Sequence, residues 1–215
     1  DHDITTANEL QALLPWTCID GHLNIDGTNI ADINLPNLQS VGMWIYIGNN
    51  DNLGTIDMPA LQTIEEFGLQ LENNAILSSL SSFNNLTDVN TVEIVGHPML
   101  ESITGFNTLA AITRNLTISD CEILTSIEGL STLTSVGEMM VIDNLPVLEN
   151  LHGLENLETV GVNMQIKYCP SITTLNELAS LTAAGSTLSM FANNAALPFC
   201  ELCDLLPQLS VQAPD

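Results

Sequence analysis

The stretch LTSIEGLSTLTSVG at residues 124–137 recurs 24 residues further along the chain as LENLHGLENLETVG at 148–161. The large apolar residues and both glycines occupy matching positions in the two copies, while most of the residues between them differ. A fixed period of this length is the signature of a protein built from stacked structural repeats. The stretch therefore predicts a repeat architecture.

Pairs of apolar residues that flank one other residue recur throughout the chain. The second members of successive pairs are 22, 24, 23, 24, 24, 24 and 24 residues apart. Such alternation is typical of a short β-strand with one buried face, and the constant period predicts an all-β solenoid of about eight coils. The pairs are Leu23/Ile25, Ile45/Ile47, Leu69/Leu71, Val92/Ile94, Leu116/Ile118, Met140/Ile142, Met164/Ile166 and Leu188/Met190.

A turn is predicted two residues after each pair, where most residues are of types that tolerate a left-handed backbone. Further aliphatic columns, such as Leu124/Ile127 and Leu133/Val136, follow the turn. Burial of one such side chain contributes roughly 1.5–3 kcal/mol, but a single coil has nothing to bury it against. Each coil is therefore predicted to be one layer of a shared core. The turn column consists of Gly27, Asn49, Asn73, Gly96, Asp120, Asn144, Tyr168 and Ala192.

The two ends of the chain are predicted to cap the solenoid with short helices. Near the start, Thr6-Ala-Asn-Glu9 is a capping-box pattern that leads into LQALL, and Pro15 ends the segment. Near the end, CELCDLLPQL is typical of a second short helix. We therefore expect one domain over residues 1–215, with an N-terminal helical cap at 1–17, coils at 18–199 and a C-terminal cap at 200–215.

Three segments resemble the receptor L domains of growth-factor and insulin receptors, together with their fungal cell-wall and bacterial secreted relatives. The segments are LTSIEGLSTLTSVGEMMVIDN at 124–144, TCIDGHLNIDG at 17–27 and PFCELCDLL at 198–206. The resemblance implies a right-handed β-helix of leucine-rich-repeat type. It also implies a protein that is secreted or lies on the cell surface, whose signal peptide has been removed, and that binds or builds without catalysing a reaction.

The charge of the chain is strongly one-sided. There are 26 Asp and Glu residues against two basic residues, Arg114 and Lys167, which gives a formal net charge of −24. Binding to phosphates requires cationic side chains, so nucleic acids and anionic membranes are poor partners. Proteins and polysaccharides fit this charge. Ca²⁺ is also compatible with it, but the sequence has no motif for this ion, and no cofactor is predicted.

The five cysteines and four histidines form no recognisable catalytic or metal motif. Cys121 and Cys169 occupy equivalent turn positions two coils apart, roughly 10 Å by strand spacing, which predicts two buried thiols and no disulfide between them. Cys200 and Cys203 are predicted to belong to the C-terminal cap, either as a local disulfide or reduced. The histidines are predicted to be isolated residues at the surface or in turns; they are His2, His22, His97 and His152.

The outward face of the first sheet is the predicted binding surface, because it combines polar groups with aromatic side chains. An ordinary solvated sheet face with two incidental aromatic residues is the alternative interpretation. The candidate ligand-binding residues are Trp44, Tyr46, Gln70, Glu72, Glu93, Thr117 and Gln165.

These features favour an extracellular, non-catalytic binding or adhesion module that recognises a protein or a glycan. A structural subunit that associates with itself in a surface layer or fibre is the alternative. Ice binding is the remote alternative, because it requires a regular array of threonines or similar small residues and the outward columns of this chain are mixed. We expect no enzymatic activity, because no acid–base pair, nucleophile motif or phosphate loop is present in the sequence.

Overall fold

The strands of the protein stack into an all-β, right-handed parallel solenoid of about eight turns, which confirms the predicted fold class. The structure is a computed structural model that describes residues 1–185 and 187–191. The predicted turn at Ala192, the predicted helix at 200–215 and the Cys200–Cys203 pair lie outside the described residues.

Sheet 1 is the largest sheet and forms one side of the solenoid. All neighbouring strands in it are parallel, and Ile118, Ile142 and Ile166 lie opposite one another in register. From its first strand to its last, the sheet spans about 38 Å at the usual strand spacing. Its nine strands are His2–Ile4, Leu23–Asp26, Trp44–Gly48, Gly68–Glu72, Thr91–Val95, Asn115–Ser119, Met139–Asp143, Asn163–Lys167 and Thr187–Phe191.

Two further faces complete each coil, and their strands are short. The second face contains the parallel pairs Asp32–Asn34 with Thr55–Asp57 and Ser79–Leu80 with Ser102–Ile103, followed by the 3-10 helices Glu128–Leu130 and Asn176–Leu178. The third face contains two four-stranded parallel sheets. Their strands are Cys18–Ile19, Ser40–Val41, Thr63–Ile64, Asp88–Val89, and then Ala111–Ile112, Ser135–Val136, Thr159–Val160 and Ala183–Ala184.

The N-terminal segment contributes both a helix and a strand. Helix α1 (Ala7–Ala12) has the predicted capping box: Thr6 Oγ1 accepts from the Glu9 amide at 3.3 Å, and Glu9 Oε2 accepts from the Thr6 amide at 3.0 Å. The strand His2–Ile4 pairs with Leu23–Ile25 and was not predicted, because three residues are too few to show an alternating pattern.

The predicted columns form one continuous interior. Ile118, Ile142 and Ile166 are fully buried, as are the aliphatic residues at the equivalent positions of the preceding coils. A further inward column, which the sequence comparison did not single out, follows the second face in each coil. Within it, the rings of Phe83 and Phe106 stack at a centroid distance of 5.2 Å. The column consists of Leu35, Met58, Phe83, Phe106, Leu130, Leu154 and Leu178.

The predicted turn column has a left-handed backbone in all seven of its described members. The φ angles of the non-glycine residues lie between 51° and 56°, a region that L-residues enter at a cost unless a short polar side chain supports it. Tyr168 is the exception in residue type, and its backbone follows its neighbours because the stacking of the coils sets the corner. The seven residues are Gly27, Asn49, Asn73, Gly96, Asp120, Asn144 and Tyr168.

A polar ladder runs inside this corner, one residue after the turn column. The amide of Thr28 donates to Asn50 Oδ1 at 2.8 Å, and the amide of Asn50 donates to Asn74 Oδ1 at 3.1 Å. The Asn74 amide in turn donates to His97 Nδ1 at 3.2 Å. Asn50, Asn74 and His97 are fully buried, so each side chain satisfies a backbone group that water cannot reach.

His97 was expected to be an isolated residue at the surface or in a turn. It directly follows the turn residue Gly96, but its ring is buried and hydrogen-bonded inside the ladder. Because Nδ1 accepts from Asn74 and Nε2 lies 3.1 Å from the Leu71 carbonyl oxygen, Nε2 carries the proton and the ring is neutral. Burial lowers the pKa of His97 below its ordinary value of 6.5.

We predict that His97 makes the fold less stable in mild acid. The unfolded chain takes up the histidine proton below pH 6.5, whereas the folded chain resists it, so stability is full above that pH and falls as the pH drops below it. Denaturant unfolding of the wild type and of His97→Asn, at about pH 8 and about pH 5, measures the effect. The variant should lose less stability on acidification. An equal loss in both proteins would contradict the assignment.

We also predict that Ile142→Ala lowers the free energy of unfolding by roughly 2–5 kcal/mol, because it leaves a cavity between two filled layers. The matched control is Ile76→Ala, which removes the same atoms from a side chain that is 51% exposed. The control should change stability by less than about 1 kcal/mol. Guanidinium denaturation followed by circular dichroism compares the two variants.

Candidate functional site

The outward side chains of sheet 1 stand in rows across the coils. Strand pairing places Tyr46, Gln70, Glu93 and Thr117 in one row, each directly opposite the next. All four are half-buried, because neighbouring strands lie only about 4.8 Å apart and their side chains cover one another. The predicted residues of this row thus form a continuous surface.

Tyr46 is held flat against the sheet. A Cβ atom added at Gly48 would overlap the Tyr46 ring, so the ring occupies the space that the glycine leaves. Its hydroxyl donates to Glu72 Oε2 at 3.2 Å and accepts from Asn49 Nδ2 at 3.4 Å. The ring is fixed at both its face and its tip before any ligand arrives.

Two carboxylates lie in this part of the sheet: Glu72 contacts the Tyr46 hydroxyl, and Glu93 lies one strand beyond Gln70. Glu93 Oε2 accepts a hydrogen bond from Gln70 Nε2 at 3.1 Å. Burial raises the pKa of Glu93 and the nearby negative charge of Glu72 raises it further, while the Gln70 hydrogen bond opposes the shift. This part of the surface can accept hydrogen bonds from hydroxyl, amide or ammonium groups.

An aromatic cluster of His22, Trp44 and Phe67 adjoins Tyr46. The ring of Trp44 stacks on His22 at a centroid distance of 4.5 Å and meets Phe67 edge-on at 5.7 Å. Phe67 is 48% exposed. Of this cluster, the sequence analysis predicted only Trp44. His22 precedes Leu23 just as Trp44 precedes Ile45, so the repeat alignment already places the two residues at equivalent positions.

His22 is also not isolated, contrary to expectation. Its ring nitrogens lie 3.2 Å from Asp1 Oδ1 and 3.4 Å from Asp3 Oδ1. His2 lies close by, with its ring edge-on to Trp16 at 4.7 Å. The N-terminal strand thus brings two histidines and two tryptophans to the same end of the solenoid.

The far end of the row is separate from Tyr46. Val141 lies between Thr117 and Gln165, and five strand spacings, about 24 Å, separate Tyr46 from Gln165. Nearby, Lys167 Nζ pairs with Asp143 Oδ2 at 3.2 Å. A small ligand bound at Tyr46 would therefore not reach Gln165, whereas an extended one would.

The cysteines are placed as predicted where the structure describes them. Cys121 and Cys169 are both buried, and burial raises the pKa of each thiol to about 11. Such thiols are poor nucleophiles and poor metal ligands. Over residues 1–185 and 187–191, no group of three or more His, Cys, Asp and Glu residues is arranged to hold a metal ion.

The fold and the sheet face define a parallel β-solenoid with a rigid aromatic patch at one end. Comparisons with protein-family models, with curated proteins and with solved structures found no match to this chain. In the part of the chain that the structure describes, no helix has the length and apolar character needed to cross a membrane.

The anchoring of Tyr46 can be tested by titration, because the chain has only two tyrosines. Burial, followed by the charge of Glu72, raises the pKa of Tyr46 above its ordinary value of 10.0. In a Tyr168→Phe background, the phenolate absorbance should therefore appear above that pH. Adding Glu72→Gln should move the midpoint back down. An unshifted midpoint in both proteins would show that the ring is not held as described.

Proposed function

We propose that this protein is an extracellular, non-catalytic binding or adhesion module that recognises a protein or a glycan through the Tyr46 end of sheet 1. The observation that carries the proposal is the Tyr46 ring, lying on Gly48 and held by Glu72 and Asn49 next to an aromatic cluster of which Phe67 is exposed. The receptor L-domain resemblance of the sequence motifs supports both the export of the chain and its binding role.

Rigid aromatic side chains suit recognition because they offer a large contact area and lose little conformational freedom on binding. Tyr46 and Trp44 are already ordered by their neighbours, so a ligand would not have to order them. The half-buried amide and carboxylate groups of Gln70 and Glu93 lie in the same row and would supply directional hydrogen bonds. This combination of a flat aromatic surface and polar acceptors fits a sugar ring or a protein surface.

The charge of the chain limits the classes of ligand that this surface can bind. With a net charge of −24, the surface repels polyanions and favours neutral glycans or proteins with basic patches. The two basic side chains do not change this, because Arg114 and Lys167 are paired with Glu138 and Asp143 of the neighbouring coils.

A structural role is the second candidate, and a different observation favours it. At one corner of the solenoid, four consecutive coils each present an apolar side chain outward: Ile76, Met99, Ile123 and Val147. Ile76 and Met99 are about half exposed. A stripe of this kind suits lateral association of rods into a layer or fibre.

The purified protein should give hits on glycan or protein arrays. Tyr46→Ala and Trp44→Ala should each weaken binding of a hit by roughly tenfold or more. Asp88→Ala, an exposed residue on the third face, is the control and should leave binding unchanged. Circular dichroism confirms that each variant is folded.

Uniformly negative arrays, or full binding by Tyr46→Ala, would contradict the proposal. Sedimentation of the same preparations tests the structural alternative. Assemblies that form without any array ligand and dissolve in Met99→Ser would favour it.

A further inference from the structure

A groove with a glycine floor runs along the solenoid at the corner between the second and third faces. Consecutive coils carry Gly105, Gly129 and Gly153 at one position, which stands one residue before the inward column of Phe106, Leu130 and Leu154. The groove has a volume of about 640 Å³, and its floor includes Gly129 and Gly153. It lies away from sheet 1 and shares no residue with the Tyr46 surface.

The glycines are required by the stacking of the coils. A Cβ atom at Gly129 would lie 2.7 Å from the carbonyl carbon of Thr104, and one at Gly153 would overlap the Ile127 carbonyl. Gly153 also has a φ of 112°, which L side chains rarely adopt. Successive coils thus touch backbone to backbone here, and the groove runs over this flat backbone surface.

The walls of the groove are polar and acidic. Thr104, Glu128 and His152 precede the glycines on one side. Asn107, Ser131 and Glu155 follow them on the other.

In the next coil the glycine column is occupied by Glu177, which is only 7% exposed. Its carboxylate meets the groove at His152: Oε1 lies 3.6 Å from His152 Nδ1. The other oxygen, Oε2, is buried and has no hydrogen-bond partner among the residues that the structure describes.

This arrangement has an excess of negative charge. His152 Nδ1 also lies 2.9 Å from Glu155 Oε1, so one imidazole stands between two carboxylates, with Glu128 nearby. A buried carboxylate oxygen without a partner is costly, and such an atom indicates a missing donor. His152, which is 56% exposed, has only one nitrogen directed at the pair and cannot supply that donor as well.

We propose that the groove binds the guanidinium group of an arginine side chain from a partner protein, which replaces the His152 ring between Glu155 and Glu177. A guanidinium is planar and carries five donors, so it can satisfy two carboxylates at once and reach the second oxygen of Glu177. The glycine floor lets the partner's chain approach closely, and Thr104, Ser131 and Asn107 offer further hydrogen-bonding groups to it.

His152 competes with the incoming arginine for the carboxylates of Glu155 and Glu177. The hydrogen bond to Glu155 raises the pKa of His152, and the charges of Glu177, Glu155 and Glu128 add to the shift. In mild acid the protonated ring stays paired with the two carboxylates. Binding of the arginine should therefore be weaker at about pH 5 than at about pH 8.

An NMR titration of isotope-labelled protein with the peptide acetyl-Gly-Arg-Gly-amide at low salt tests the proposal. The amides of Gly129 and Gly153 should shift and saturate. The same peptide with citrulline, which is neutral and nearly isosteric, should not bind. Glu155→Gln and Glu177→Gln should each weaken binding by roughly tenfold or more, and His152→Ala should strengthen it at about pH 5.

The control variant is Glu122→Gln, which removes the same charge from an exposed position at another corner. It should keep wild-type affinity, and so should Tyr46→Ala, which separates this site from the sheet 1 surface. Binding of citrulline, absence of saturable binding, or equal weakening by Glu122→Gln would overturn the proposal. Equal binding of a lysine peptide would overturn the guanidinium assignment.

Discussion

The structure depends on one constraint: a coil can bury its aliphatic side chains only against the coils before and after it. Strand pairing fixes the separation of the layers, so every inward residue must fit between the residues at the equivalent position in the coils before and after it. The stack of Ile118, Ile142 and Ile166 shows the result, with identical side chains in register and no exposure to solvent. The 24-residue period is the direct consequence in sequence.

The same constraint buries backbone amides at the corners, where the backbone leaves the sheet but remains inside the molecule. The side chains of the polar ladder supply the acceptors for these amides. Asn50, Asn74 and His97 each accept the amide of the preceding coil, and the Cys121 sulphur accepts the amide of His97. The change from amide to imidazole to thiol shows that side chains of quite different chemistry can supply the acceptor, and the next coil carries the buried Leu145 at this position, where no acceptor is present.

Both candidate sites arise where the repeat is interrupted. On sheet 1, Gly48 stands where other coils have larger residues, and the Tyr46 ring fills the space. At the far corner the interruption is the reverse, since Glu177 stands where three coils have glycine, and its carboxylate is buried beside His152. The regular layers form a rigid scaffold, and single residues that depart from the repeat create the two candidate binding sites on it. The two sites face different directions and share no residue.

The sequence by itself determined the solenoid, its period, the inward columns and the left-handed corners, because each of these depends on residues at a fixed spacing within one repeat. It also placed Tyr46 and its row on the outward face of sheet 1, since side chains alternate along a strand. Only the tertiary structure decided that His2–Ile4 is a strand, that His97 points inward, and that Glu177 meets His152 in a groove. These features depend on contacts between coils and on the direction of single side chains, and the alignment of the repeats specifies neither.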